Sequence, residues 1–368
     1  MKITVSRDAL VFLISKVASV VPQKPVIPIL SNLLLEAKGS TLTLYVTDLT
    51  VSVRTSVEAN IEREGQIALP AKRFFQLVKE LTSNDIMIEV TDELVVVIHA
   101  GSSFFKLHGM NQSEFPFFPE ISETLSLTFP APQLKRLFTN SSFAAAKDDS
   151  RQALNGIFVR AKAREATFVA TDGKRLAKIQ AAIELAPEEE ISSTIPLKAV
   201  EEMIRIMDDD LSVTLSFMED KVALTSGVTT LVTKLIAGQF PDYERVIPDR
   251  SKMQPIHLHK EELVTLLKQI ALFTSDVSQA VRFTFDRGRL DLEANHHEIG
   301  EGKVHMPVDY KDDTKVIALN PHFLLDILRH CKDEVIDFAM SDSFNPGSIL
   351  DTTKSLYVIM PMRLSNDT

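Results

Sequence analysis

A spacing of 124 residues constrains this chain more than any other feature. Thr171-Asp172-Gly173 follows the strand-like run Ala166-Thr167-Phe168-Val169. Thr47-Asp48-Leu49 stands 124 residues earlier, after Thr43-Leu44-Tyr45-Val46, and Ala294-Asn295 ends 124 residues later, after Leu290-Asp291-Leu292-Glu293. An Asp-Gly pair bends a chain sharply because glycine tolerates φ > 0, so residues 170–177 read as a turn that presents Lys174, Arg175 and Leu176. The period is too long for a solenoid and implies three copies of one domain. With 368 residues, each copy has enough chain for a core of its own.

The copies share an order of elements. Each opens with a short alternating strand and a helix: Ile3 to Val5 then Arg7 to Ala18, Leu125 to Phe129 then Pro130 to Ala145, Ile256 to Leu258 then Lys260 to Ala271. Leu10, Leu13, Ile14 and Val17 illustrate the helical core spacing. Blocks of alternating strands follow at 32–57, 155–183 and 281–308. A second strand and helix come next, with Pro70, Pro196 and Pro321 at or just before the first turn, where a missing N–H costs nothing. More strands and a proline close each copy. The order β-α-βββ-α-βββ, three times over, predicts an α+β chain of helix-on-antiparallel-sheet domains. Polar joints near 122–124 and 249–252 give domains 1–122, 123–250 and 251–368.

Charge is segregated along this pattern. The formal net charge is −10, yet helices expected at 7–18, 71–81, 131–145, 197–207, 260–271 and 321–332 carry thirteen basic residues against seven acidic ones. The basic set is Arg7, Lys16, Lys72, Arg73, Lys79, Lys135, Arg136, Lys198, Arg205, Lys260, Lys268, Arg329 and Lys332. Side by side, such faces would form a positive stripe on an acidic body, able to hold phosphates without reading bases. The single cysteine, Cys331, allows no intrachain disulfide and fits a reducing, cytoplasmic setting. Met1 to Val5 reads as a strand rather than a signal peptide, and the apolar runs are too short to cross a bilayer.

Chemistry-bearing motifs are scarce. Gly-rich phosphate loops, His-Glu-x-x-His, Gly-x-Ser-x-Gly and Cys-x-x-Cys are all missing. His257, His259 and His296-His297-Glu298 lack a ligand spacing. Asp208-Asp209-Asp210 reads as a solvated turn rather than a metal cluster, and Cys331 reads as core. No nucleophile lies beside a base, so no enzyme, cofactor or metal is expected. A hydrolase built on those histidines or aspartates, and a sequence-reading DNA-binding protein, stay open as alternatives. No helix clusters Arg, Asn and Gln for base edges.

Several segments together resemble the bacterial β sliding clamps, processivity subunits of DNA polymerase III. They are Pro28-Ile29-Leu30-Ser31-Asn32-Leu33-Leu34, Leu154-Asn155-Gly156, Ala170 to Ala177, Phe240-Pro241-Asp242-Tyr243-Glu244-Arg245-Val246 and Val358-Ile359-Met360-Pro361-Met362-Arg363-Leu364. The resemblance covers nearly the whole chain. It implies the DNA clamp fold, with six like domains in a head-to-tail homodimeric ring around duplex DNA. The ring tethers the replicative polymerase, and a clamp loader and other factors dock through a short peptide. By resemblance, Lys24, Arg73, Asp148 and Lys198 lie near the DNA path, where an acidic Asp148 is out of pattern. The ring joint sets Phe105 and Leu107 against Leu272 and Phe273 of the other chain.

The same resemblance implies a groove for partner peptides between the second and third domains. Leu154, Thr171, Gly173, Arg175, Leu176, Pro241, Val246, Val358 and Met360 match its deep pocket, and Lys174, Arg245 and Pro361 belong to the same groove. Arg151, Asn320, Phe323, Phe344, Pro346, Met362 and Arg363 match its approach. Leu, Val and Met give a deformable apolar cup, and Arg and Asn are suited to peptide carbonyls. Gln152 and Ala153 stand where the family often has aromatics, which opens the approach. Ser365 to Thr368 extend past the usual Arg-Leu end and would shade the groove.

Overall fold

The computed structural model describes residues 1–91, 93–122, 125–275 and 279–363. The first copy runs β1 (Lys2–Ser6), α1 (Arg7–Val17), β2 (Asn32–Lys38), β3 (Thr41–Thr47), β4 (Val51–Glu58), β5 (Asn60–Arg63), β6 (Gly65–Pro70), α2 (Ala71–Glu80), β7 (Asp85–Val90), β8 (Val95–Ala100) and β9 (Ser103–His108). The second runs β10 (Leu125–Pro130), α3 (Ala131–Ser142), β11 (Gly156–Lys162), β12 (Glu165–Thr171), β13 (Arg175–Ala182), β14 (Glu190–Pro196), α4 (Leu197–Ile206), β15 (Ser212–Phe217), β16 (Lys221–Ser226) and β17 (Thr229–Lys234). The third runs β18 (Ile256–His259), α5 (Lys260–Ile270), β19 (Val281–Asp286), β20 (Arg289–His296), β21 (Gly300–Pro307), β22 (Lys315–Leu319), α6 (Pro321–His330), β23 (Val335–Ala339), β24 (Gly347–Leu350) and β25 (Leu356–Ile359). The chain is α+β with three tandem copies. Between its two helices each copy holds one strand more than the expected three, and the first holds β5 besides.

The strands assemble across the copies. One eight-stranded sheet runs β10-β15-β16-β17-β4-β3-β2-β6, joining the second copy to the first through β17 and β4. The other runs β14-β11-β12-β13-β25-β24-β23-β18, joining the second to the third through β13 and β25. Two partial sheets remain, β5-β1-β7-β8-β9 and β21-β20-β19-β22. Compactness divides the chain accordingly, into Met1–Lys135 with Lys198–Leu235 and Arg136–Leu197 with Ile236–Thr368. The second copy is shared because its two half-sheets each complete a neighbour's.

Helices bury the stripe that their spacing dictates. α1 is capped by Ser6, whose hydroxyl accepts from the Ala9 N–H, and buries Leu10, Leu13, Ile14 and Val17. α6 is capped by Asn320 and starts on Pro321. α3 stops at Ser142, three residues before its expected end. There Ser141 turns its hydroxyl back onto the Leu137 carbonyl at 2.8 Å, a local bond that competes with helix propagation.

Burial also corrects the charge reading. Lys16 is 7% exposed and spends its charge on Asp208 and the Ile206 carbonyl. Asp208 is therefore a structural partner rather than part of a solvated turn, and Asp209 pairs with Lys135. Arg205 pairs with Glu202 and Arg329 with Asp326. Lys332 lies beyond the end of α6. Lys72, Arg73, Lys79 and Lys268 are exposed and make no ion pair among the described residues.

The repeated turn is real in two copies. Thr47 Oγ1 accepts from the Leu49 N–H at 3.0 Å, and Asp48 Oδ1 accepts from Thr50 and Val51. Thr171 Oγ1 accepts from the Gly173 N–H at 3.0 Å, and Asp172 Oδ1 accepts from Lys174 and Arg175. Gly173 takes φ 83° and Leu49 φ 73°, the same left-handed bend, which strains a leucine. Leu49→Gly should therefore stabilise the chain by about 0.5–1 kcal/mol in chemical denaturation, since Leu49 is 51% exposed and buries little. In the third copy Ala294 and Asn295 instead continue β20, paired with β21, so that expected turn does not form.

Candidate functional site

The β13–β25 seam organises the site. Leu176 lies opposite Val358 and Arg175 opposite Ile359. The pairing continues as the Met360 N–H donates to the Lys174 carbonyl at 2.9 Å, and the Met362 N–H reaches the Ala318 carbonyl at 2.7 Å. On one face of the seam Leu154, Leu176 and Val358 cluster with Ala146, Val169, Phe240 and Tyr243, and Ala153, Phe158 and Ile247 pack against them. Phe158 stacks on Phe240 with centroids 4.8 Å apart. Sequence reasoning missed this aromatic wall, although Phe240 and Tyr243 stand inside a segment it singled out.

Leu154, Leu176 and Val358 are at most 2% exposed, so they lie in the interior of this cluster. Its rim is accessible: Val246 is 40% exposed, Pro241 and Arg245 are exposed, and Met360, Pro361 and Met362 are half-buried. Arg245 is held by Asp242 at 2.7 Å. Lys174 is exposed at the tip of the turn. A Cβ on Gly173 would come within 3.3 Å of Arg151 Nη2, so glycine leaves the Arg151 guanidinium its place. That guanidinium is bound to Asp149 and holds its carboxyl down at about 2.

Two groups expected to hold peptide carbonyls are committed elsewhere. Arg175 pairs with Asp172 at 3.2 Å and with Asp326 at 2.6 Å, and its guanidinium sits 4.6 Å from the Phe323 ring centroid and 5.4 Å from that of Phe143. Asn320 is 3% exposed; its carbonyl caps α6 and its amide donates to Gln279. In the single chain both side chains are therefore held by neighbours within the fold. His330 stacks on Phe143 at 4.4 Å, and burial pushes its imidazole pKa down. Phe344 is 87% exposed on a loop tied down by Asp342, with Pro346 half-buried nearby in sequence and Arg363 exposed. Gln152 is exposed and Ala153 half-buried. Ser365 to Thr368 lie outside the described residues.

The remaining expected residues fall on other surfaces. Lys24, Arg73 and Asp148 are exposed. Lys198, 60% exposed, pairs with Asp48. Burial would raise the Asp48 carboxyl, but the Lys198 ammonium and hydrogen bonds from Thr50 and Val51 outweigh it and hold the pKa below the ordinary value. Phe105 and Leu107 lie on β9 and line a pocket against α2. Leu272 and Phe273 form a 3-10 turn after α5, Leu272 74% exposed and Phe273 against Gly302 of β21.

Among the described residues no three His, Cys, Asp or Glu side chains gather as a metal site. His257 and His259 are exposed, and His296 and His297 face each other at 4.7 Å. Burial pushes the Cys331 thiol up to about 12, which keeps it protonated and inert. Among the described residues no helix is long and apolar enough to cross a membrane.

Three like domains in tandem, sheets continued from one copy into the next and an apolar cup on a shared seam are the architecture of a DNA clamp. Profiles of the DNA polymerase III beta subunit match the chain three times: the N-terminal domain over residues 1–119, the central domain over 128–242 and the C-terminal domain over 244–363. A beta sliding clamp of Chlamydia muridarum is 45% identical over 367 residues, covering 100% of both chains. One of Chlamydia pneumoniae is 46% identical with the same coverage. The crystal structure of the DNA polymerase III subunit beta from Pseudomonas aeruginosa superimposes with a TM-score of 0.95 at 30% identity, covering 99% of this chain and 100% of that one. The chain belongs to the DNA polymerase III beta subunit family, the beta sliding clamps, which are processivity factors and not enzymes.

Proposed function

We propose that two copies of this chain close head to tail into a ring that encircles duplex DNA without reading its sequence. The ring has six domains, bounded in each chain at 1–122, 123–250 and 251–368. The observation that carries this reading is the pair of partial sheets. Each eight-stranded sheet joins the last strand of one copy to the third strand after the first helix of its neighbour, β17 to β4 and β25 to β13. The two strands of those kinds left on edges are β9 and β21. Pairing β9 with β21 of a second chain would give β5-β1-β7-β8-β9-β21-β20-β19-β22, the same eight-strand order with β5 added at one edge. Such a contact is heterologous and closes by rotation.

Side chains support the same joint. At the internal joint, Ser19 and Val20 follow α1; Ser19 bonds Glu202 of α4 and Val20 is 2% exposed. Leu272 and Phe273 hold the equivalent places after α5. On α2 the places equivalent to the α4 contact, Gln76 and Glu80, line the pocket that Phe105 and Leu107 share.

DNA is held loosely in this reading. Lys24, Arg73 and Lys198 face it, and Asp148 stands among them as a negative residue. Screened, diffuse phosphate contacts suit sliding. The cup takes a short apolar peptide from the replicative polymerase, the clamp loader and other replication or repair proteins, and the protein acts in the cytoplasm. Primer extension on a singly primed circle, with the polymerase III core and clamp loader, should shift from short products to full-length ones when the protein is added. Unchanged product length would contradict the reading.

A further inference from the structure

We propose a second peptide-binding pocket, in the first copy, that accepts an apolar side chain next to an arginine or lysine. A cavity of about 390 Å³ opens there between β2, β3 and the segment around Phe115. It stands where the cup stands in the second copy: Leu34, Tyr45, Phe115 and Phe118 occupy the places of Phe158, Val169, Phe240 and Tyr243. The surroundings are repeated too. Arg54 lies 4.9 Å over the Phe118 ring, as Lys178 lies 5.7 Å over Tyr243. Ser52 stands in the place of Leu176 and lines the cavity with a smaller side chain.

It also differs from the cup in charge. Glu36 lines the cavity, accepting from the Tyr45 hydroxyl at 2.6 Å and from the Gln66 amide. No lysine or arginine among the described residues pairs with it. A carboxylate has about four lone-pair sites, so two remain for a ligand's donors. Burial and the Glu36 carboxylate push the Tyr45 phenol up to about 12, so it remains a neutral donor that helps fix that carboxylate. Phe117, 98% exposed, offers an aromatic face at the mouth. Apolar walls with an unpaired anion select an apolar group beside a cation, and an arginine fork can meet a carboxylate in two bonds. Taking the occupant as a peptide rests on the peptide reading of the second copy's cup.

The test is methyl NMR of the full-length dimer with labelled Leu and Val, titrated with the blocked tetrapeptide Gly-Phe-Arg-Gly. Saturable shifts are expected at Leu34 and Val46. They should persist in Met360→Ala, which impairs only the cup, and weaken at least tenfold in Glu36→Gln. Phe117→Ala, on a side chain outside any core, should weaken them as well and guards against misfolding of the Glu36 variant. The peptide Gly-Phe-Glu-Gly should not bind. Shifts confined to Leu154, Leu176 and Val358, equal binding of the two peptides, or unchanged binding in both pocket variants would overturn the proposal. Failure of a Leu-Phe peptide at the cup would count against the cup alone.

Discussion

Leu272→Ala with Phe273→Ala should sediment as a folded monomer at low micromolar concentration, where the unaltered chain sediments as a dimer. Leu272 is 74% exposed on the single chain, so its truncation takes nothing from the monomer's core. Phe273 packs on Gly302 of β21, so its loss also loosens the edge that is to pair with β9. Large apolar side chains buried at an interface are worth about 2–4 kcal/mol each. At 1.4 kcal/mol per tenfold, the double truncation weakens each joint about a thousandfold or more. Leu272→Ala alone should leave the melting temperature unchanged and serves as the folding control. A double variant still dimeric at low micromolar concentration would place the joint elsewhere.

Peptide recognition should separate from stability within the cup. A peptide ending in Leu-Phe buries little surface and must be ordered, so micromolar affinity is expected. Two identical cups on one ring raise local concentration and let partners exchange. Met360 is half-buried at the rim and enters the fold chiefly through its backbone bond to Lys174. Met360→Ala with Val246→Ala should weaken the peptide at least tenfold with no change in melting. Leu176 is 2% exposed on a central strand, so Leu176→Ala should weaken the peptide and also cost about 2–4 kcal/mol as a cavity. Fluorescence anisotropy with calorimetry on both variants measures the two effects. Full affinity in the rim variant would remove the cup from this surface.

The sequence carried the repeat and little of how the repeats join. The 124-residue spacing matched Asp48 to Asp172 and the strand blocks to one another, because turns and strands are local. The third turn failed because β20 continues through Asn295 to pair with β21, a long-range choice that propensity does not register. Lys16 looked like a surface cation, since periodicity cannot tell a solvated face from one covered by a neighbouring copy's Asp208. That Leu154, Leu176 and Val358 belong together was legible only through resemblance, and they share one cluster in the fold. The aromatic wall of Phe158, Phe240 and Tyr243 required the fold, because Phe158 lies far in the chain from the other two. Arg175 and Asn320 were placed in the groove by resemblance, and their partners, Asp326 and the first turn of α6, were not legible in the sequence.

Topological binding is the central claim, and one comparison tests it most directly. The protein is loaded onto nicked circular DNA and onto the same DNA linearised, and retention is followed as salt rises. A ring that encircles the duplex stays on the circle at salt that strips ordinary phosphate binders, and leaves when the circle is cut. Equal loss from circle and linear DNA at the same salt would contradict the account.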